Sequence, residues 1–243
     1  SLGSYSHAEG QDTVSSGQNS HSEGIATIAI GSHSHAEGIW SISYGNSSHA
    51  EGFSAMTYGN YSHAEGGSTE TYGEFSHAEG AFTIASGISS HAEGGYTIAY
   101  TNQAHAEGYY TEARGHQSHA EGAYTIAYGG SSHTGGQGTV GFPIEAGGIA
   151  SFNHSYRNNT TPNVSGATGH YSAILGGVDN SVIHNGSVII GGNGIVSKDT
   201  YTTYVNKLEI VEQIDTAFIL TDVVTGTRYK LFMQSGSLII LPV

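Results

Sequence analysis

Serine, histidine and glutamate recur together in this chain, as in Ser6-His7-Ala8-Glu9 and Ser34-His35-Ala36-Glu37, and those side chains are the ingredients of a hydrolase triad. Their spacing refuses that chemistry. Neighbours on a strand point to opposite faces, so the Ser34 hydroxyl and the His35 imidazole cannot share a hydrogen bond within the motif. His and Glu two apart do share a face, which makes metal ligation the better chemical reading of the same residues. A ladder of such pairs still offers no closed tetrahedral set from one chain, and no Asp-rich calcium pattern accompanies it. Asp179, Asp199, Asp215 and Asp222 show no recognisable pairing. The residues therefore predict no enzyme, no metal site and no cofactor.

The element that carries the motif is legible from its period. His7, His21, His35, His49, His63, His77, His91, His105, His119 and His133 stand fourteen residues apart without a slip, and a fixed short period over most of a chain means stacked identical coils. Each coil splits into two similar halves, as in Ser34-His35-Ala36-Glu37-Gly38 and Ser41-Ile42-Ser43-Tyr44-Gly45. Alternation puts Ser34, Ala36, Ser41 and Ser43 on one side and His35, Glu37, Ile42 and Tyr44 on the other. A lumen between two strands of about five residues has room for Ser, Thr and Ala only, so the larger residues lie outside. Glycine closes each half, Gly10 to Gly136 in the first series and Gly17 to Gly129 in the second, where a positive φ or a close backbone approach is required; Thr101 is the exception.

This Ser-x-Ala-x-Gly grammar resembles the head repeats of trimeric autotransporter adhesins, which are also similar to repeats in bacteriophage fibres. The resemblance covers residues 1 to about 142. It implies an all-β, left-handed parallel β-roll with one coil per fourteen residues and three rolls around a three-fold axis. His and Glu stand here where that family usually has Val and Ile.

Composition narrows the partners. Six Lys plus Arg against twenty Asp plus Glu give a formal charge of −14, which argues against a phosphate backbone and so against nucleic acid. No apolar run approaches the eighteen residues of a bilayer span, so no membrane insertion is expected. The absence of cysteine leaves ladder hydrogen bonds, stacking and association as the sources of stability. Gly3 already falls in the phase of Gly17, so the chain enters in mid-coil, and attachment to other virion or fibre proteins is expected through a region upstream.

Three segments follow: a fourteen-residue-repeat shaft over 1–142, wider and less regular β coils over 143–200, and a small antiparallel β cap over 201–243. Ser172-Ala173-Ile174 and Ser187-Val188-Ile189, fifteen apart, mark the wider coils, and Ser151 to Gly169 reads as a long surface excursion. In the cap, Leu208 to Val211, Ala217 to Val224, Thr227 to Met233 and Ser237 to Leu241 read as strands, with hairpin turns at Thr225-Gly226 and Ser235-Gly236.

Two surfaces are candidates for function. The outward pair His35/Glu37, His49/Glu51, His63/Glu65, His77/Glu79, His91/Glu93 and His105/Glu107 repeats unchanged while the opposite face varies, so we read it as the ladder between subunits of a homotrimer. The more apolar Ile/Tyr face is the competing choice. With His and Glu inside the trimer, Trp40, Tyr44, Tyr58, Tyr96 and Tyr124 face solvent and become receptor contacts by stacking on sugar rings or apolar groups, joined by Tyr156 and Arg157 in the Asn-rich excursion. Asn-x-Ser/Thr triplets at Asn46, Asn60, Asn153, Asn159, Asn163 and Asn185 read as turn chemistry.

The function expected from these features is a structural trimeric fibre on the exterior of a phage or phage-like particle, attaching to a host cell-surface glycan or protein. A bacterial surface adhesin head shares every feature. An ice- or crystal-surface binder needs an outward Thr array, whereas Thr13, Thr27, Thr69, Thr83, Thr97, Thr111 and Thr125 are expected inside.

Overall fold

The computed structural model describes residues 1–158 and 166–205, and the backbone of three strands beyond them. The first unit, Ser1–Asn206, is a parallel β-solenoid. Each coil lies on the next in register, histidine on histidine and glutamate on glutamate, as in His35↔His49, Ala36↔Ala50, Glu37↔Glu51 and Gly38↔Gly52. Parallel pairing with zero slip is what a strict fourteen-residue repeat must give, because every other register sets unlike residues above one another.

Alternation places the side chains as the pattern predicts. Ala36, Ala50, Ala64, Ala78 and Ala92 are fully buried, as are Thr27, Thr69, Thr83, Thr97, Thr111 and Thr125, while the histidines and glutamates flanking those alanines lie on the surface; Thr13, expected inside, is only half-buried in the first coil, which has no coil before it to cover it. Most serines that precede a histidine turn inward and donate their hydroxyl to the glycine carbonyl three residues back, as from Ser34 Oγ to Gly31 O at 2.6 Å; Ala104 stands at that place before His105. Hydroxyls also pair across the lumen, for example Thr57 Oγ1 to Ser48 Oγ at 2.9 Å. Such partners offset the burial of the hydroxyls that find them, whereas those of Thr69, Thr83, Thr97 and Thr111 are buried without one.

The two strands of a coil are unequal. The first runs five residues, as in His35–Ile39, but the second is reduced to two, as in Ile42–Ser43. Both are bounded by tight corners. Every seventh residue from Tyr5 to Ser131 sits at a φ of 52–60° although none is glycine. No β-branched residue occupies these left-handed positions, where its Cβ substituents would clash. The corner amides are nonetheless satisfied, since Trp40 N donates to Ile25 O at 2.9 Å and Ser47 N to Ser32 O at 2.8 Å.

The two glycine series have different causes. Gly38 and its equivalents take φ near 100°, whereas a Cβ on Gly31 would stand 1.9 Å from the carbonyl oxygen of Gly45 in the next coil.

The solenoid continues past residue 142 with wider coils. His133 pairs with Phe152, Phe152 with Ala173, Ala173 with Val188 and Val188 with Thr203. The first widening is a five-residue insertion around a bridge between Thr139 and Phe142. Phe152–Tyr156 and Gly166–Ala167 are strands of the ladder, so the surface excursion expected from Ser151 to Gly169 does not include them; residues 159–165 lie outside the described residues. Here the lumen becomes apolar, with Ala167, Ile174, Val182 and Ile189 in one cluster. Extra residues per coil open the interior, and larger side chains fill it.

The second unit, Lys207–Val243, contains a three-stranded antiparallel sheet of Phe218–Thr221, Arg228–Gln234 and Ser237–Pro242. The strand expected at Leu208 to Val211 and the turns at Thr225-Gly226 and Ser235-Gly236 lie outside the described residues, as do Asn159 and Asn163.

Candidate functional site: outward ladders of the solenoid

The coil repeat stacks the histidines into one column. Neighbouring rings from His21 to His119 lie 4.6–4.9 Å apart between centroids and within 17° of parallel. The glutamates form a second column beside it. Nε2 can therefore approach a carboxylate of its own coil or of the preceding one: His49 stands 3.6 Å from Glu51, and His63 stands 3.8 Å from the same Glu51.

The ladder is less uniform than its sequence. Glu65 is exposed, so within one chain His63 is turned to Glu51 instead of to its own coil's carboxylate. Glu79 keeps His77 as its neighbour at 3.7 Å, but 45% of its side chain is open to solvent, against 27% for Glu51. The residue two places on differs: Gly67 and Ala81 follow Glu65 and Glu79, where Phe53 follows Glu51, so less side chain stands beside these two carboxylates. Within one chain Glu65 and Glu79 are therefore solvated members of the ladder, not shielded ones.

The column changes character along its length. At His119 and His133 the imidazole hydrogen-bonds to the carboxylate of the preceding coil, 3.2 Å to Glu107 and 3.1 Å to Glu121. From His21 to His105 the separations that fall within ion-pair range are 3.5–3.9 Å, and Nε2 of all seven histidines is shielded from solvent without a hydrogen-bond partner. Burial and the neighbouring His35 and His63 charges hold His49 below the ordinary imidazole range; burial and the His119 charge do the same for His105.

Carboxylates repeated at the coil spacing repel one another. At about 4.8 Å, two unit charges cost about 0.9 kcal/mol in water and about four times that at an effective dielectric of 20. Hydrogen bonding with the neighbouring Glu37 and Glu9 carboxyls pushes Glu23 up. Burial would raise Glu121 too, but the hydrogen bond and charge of His133, with the charges of His119 and His154, outweigh it and hold Glu121 low. Along the Glu column runs an open groove floored by the positive-φ glycines; one stretch, of about 580 Å³, is lined by Glu9, Glu23, Glu37 and Gly10, Gly24, Gly38 and Gly52.

The hydrolase arrangement does not form. The Ser34 hydroxyl is committed to Gly31 O inside the lumen, while His35 projects from the opposite side of the strand.

On the other strand, Tyr44, Tyr58 and Tyr72 stack at 5.0 and 4.7 Å, within 8° of parallel. Farther along the same column the Arg114 guanidinium is held between Tyr100 and Tyr128, at 5.3 and 5.1 Å from their centroids. Tyr96 and Tyr124 are joined through Tyr110 in a corner stack that begins at Phe82. Trp40 is not part of it and meets Phe53 edge-on at 5.1 Å. Rings stacked on one another cover their own faces, so the columns offer solvent their edges and phenol hydroxyls rather than flat platforms.

Tyr156 is exposed at the end of its strand. Arg157 is engaged internally instead, donating from Nη1 to Pro143 O at 2.9 Å and lying 5.5 Å over the Phe142 ring. The asparagines of the triplets do build turns: Asn46 Oδ1 accepts from Ser32 N at 3.0 Å, Asn60 Oδ1 from Asn46 N at 2.9 Å and Asn185 Oδ1 from His170 N at 2.9 Å. Asn153 is instead buried in the lumen, donating to Glu145 O at 2.8 Å.

Three features escaped the sequence reading: the Arg114 sandwich, the Tyr61–Phe75 stack at the other corner, and the direct His–Glu bonds at the end of the column. The first two carry a readable signal, planar side chains fourteen residues apart.

No protein-family model matches the chain, and no curated protein matches it. Among the described residues no helix is long and apolar enough to cross a membrane.

Proposed function

We propose that this chain is the structural subunit of a homotrimeric fibre on the exterior of a phage or phage-like particle, with attachment to host surfaces as its task. The observation that carries this reading is a rod without a large-residue core. Over the regular repeats the biggest fully buried side chains are threonines, while Tyr44, Phe53, Tyr58, Tyr61, Phe75 and Tyr96 remain exposed. Such a roll removes little apolar area from water and gains by packing against copies of itself. The unvarying His/Glu column supplies a uniform surface for identical neighbours, and the solvated Glu65 and Glu79 are the members whose exposure such a neighbour would change most. The variable Tyr/Ile face is left for recognition. The outward Thr array needed by an ice binder is absent from the repeats, because those threonines line the lumen.

Sedimentation equilibrium of the full chain tests the assembly, with a trimer expected across dilution and a stable monomer overturning it. Immunolabelling of producing cells separates a particle fibre from an adhesin head, since label on the bacterial envelope rather than on released particles would favour the adhesin. Adsorption of assembled particles carrying Tyr156→Ala tests attachment through that region.

A further inference from the structure

The His/Glu column holds a second possibility that needs no neighbouring chain. His7–Glu9–His21, His35–Glu37–His49, His63–Glu65–His77 and His91–Glu93–His105 each bring two imidazole nitrogens and one carboxylate oxygen within 4.8 Å of one another. In a tetrahedral ion site with metal–ligand bonds of about 2.0–2.1 Å, ligand atoms stand about 3.3 Å apart. The observed Nε2 to carboxylate separations of 3.5–3.9 Å are too long for a hydrogen bond yet close to that edge. The two imidazoles of a step lie in rings 4.6–4.9 Å apart, so their nitrogens must be brought closer, and tilting of the rings is the movement that does so: His7 and His21 are already tilted 56° at a spacing of 5.1 Å.

Two independent features ask for a cation here. Nε2 of His21, His35, His49, His63, His77, His91 and His105 is withdrawn from solvent with nothing to bond, an arrangement that costs free energy unless a partner arrives. Beside them the stacked carboxylates repel, and a divalent ion between coils would relieve both deficits.

We propose that the His–Glu–His steps of the column bind divalent transition-metal ions of the zinc and copper class, one ion for every two coils. Imidazole with carboxylate selects that class over calcium or magnesium, which prefer all-oxygen sets. The stoichiometry follows from lone pairs. A shared histidine such as His49, which belongs to the steps with both His35 and His63, has one Nε2 to give, so adjacent steps exclude each other. Three ligands from one chain leave a fourth position to water. Ions at this spacing would clip successive coils together.

The test uses the full chain, stripped with chelator, then titrated with zinc in equilibrium dialysis and with cobalt(II) as a coloured probe. Expected are saturation near one ion per two coils, the intense visible absorption of tetrahedral cobalt, and release on acidification as protons compete for imidazole. Two variants lose equal numbers of histidines. Replacing His21, His49, His77, His105 and His133 by Gln leaves no adjacent pair and should abolish uptake. Replacing His35, His49, His91, His105 and His133 by Gln keeps the His7–Glu9–His21 and His63–Glu65–His77 steps and should retain about two ions. Equal losses in the two variants, or no saturable uptake by the parent, would overturn the proposal. Should either variant fail to show the parent's circular dichroism, the parent's own stoichiometry and cobalt spectrum decide, and weakly coloured octahedral cobalt counts against it. Uptake is scored per chain, so its failure leaves the trimer reading standing, and the reverse.

Discussion

Tyr96 and Tyr110 stack with centroids 4.6 Å apart and planes 2° from parallel, the closest and flattest contact of the corner column. The coil repeat imposes this distance, which is also that of offset aromatic stacking, so the column stabilises the rod at a spacing the backbone already requires.

Tyr110→Ala removes stacking with both Tyr96 and Tyr124 and should lower unfolding stability by about 1 kcal/mol, read from denaturant midpoints. Because ring faces are covered, Tyr→Phe changes at Tyr44, Tyr58, Tyr96 and Tyr124 together should leave stability near the parent's while weakening glycan retention on an array. Unchanged retention would mean that hydroxyls are not the contact.

The glycine series gives a paired prediction. Gly31→Ala places a methyl 1.9 Å from a backbone oxygen that the ladder holds in place, and should cost about 3 kcal/mol or more. Gly67→Ala meets nothing within 4 Å and should stay within about 0.5 kcal/mol of the parent. Thermal melts of the two proteins side by side would show whether close approach, and not glycine content, is the requirement.

In the trimer reading, Glu65→Ala deprives the ladder of one acceptor per chain. A loss of about 1 kcal/mol of trimer stability per chain is expected, visible as dissociation at higher concentration in sedimentation. No change would turn attention to the Ile/Tyr face as the packed one.

Tyr72 donates its hydroxyl to Glu70, and that bond, with burial and the Glu70 charge, pushes the phenol up to about 12. The folded protein thus keeps the proton after an unfolded chain has released it near 10. Stability from this group is complete below pH 10 and fades as pH rises toward about 12, with solvent screening reducing its size at this half-exposed site. Glu70→Gln should bring one tyrosine of the absorbance titration back toward the ordinary value.

The fourteen-residue clock determines the solenoid, its register and the sorting of Ser34 and Ala36 inward from His35 and Glu37 outward. Period-two alternation and the narrow lumen are local rules, and a sequence met alone contains both. It also determines where glycine is indispensable, although Gly38 and Gly31 need it for different reasons. What the pattern could not supply is anything set by neighbouring coils. The second strand runs only from Ile42 to Ser43, and the corners turn left-handed at ordinary residues such as Trp40. The orientation of Tyr96 against Tyr110 comes from a repeat distance between chain segments, and so does the gap that leaves His35 and His49 without hydrogen bonds. An identical motif likewise concealed unequal surroundings, with Glu79 open to solvent where Glu51 is shielded. Residue types specify which groups meet; only the stacked backbone sets how far apart they stand, and that distance separates a hydrogen bond at His133 from an open ligand set at His49.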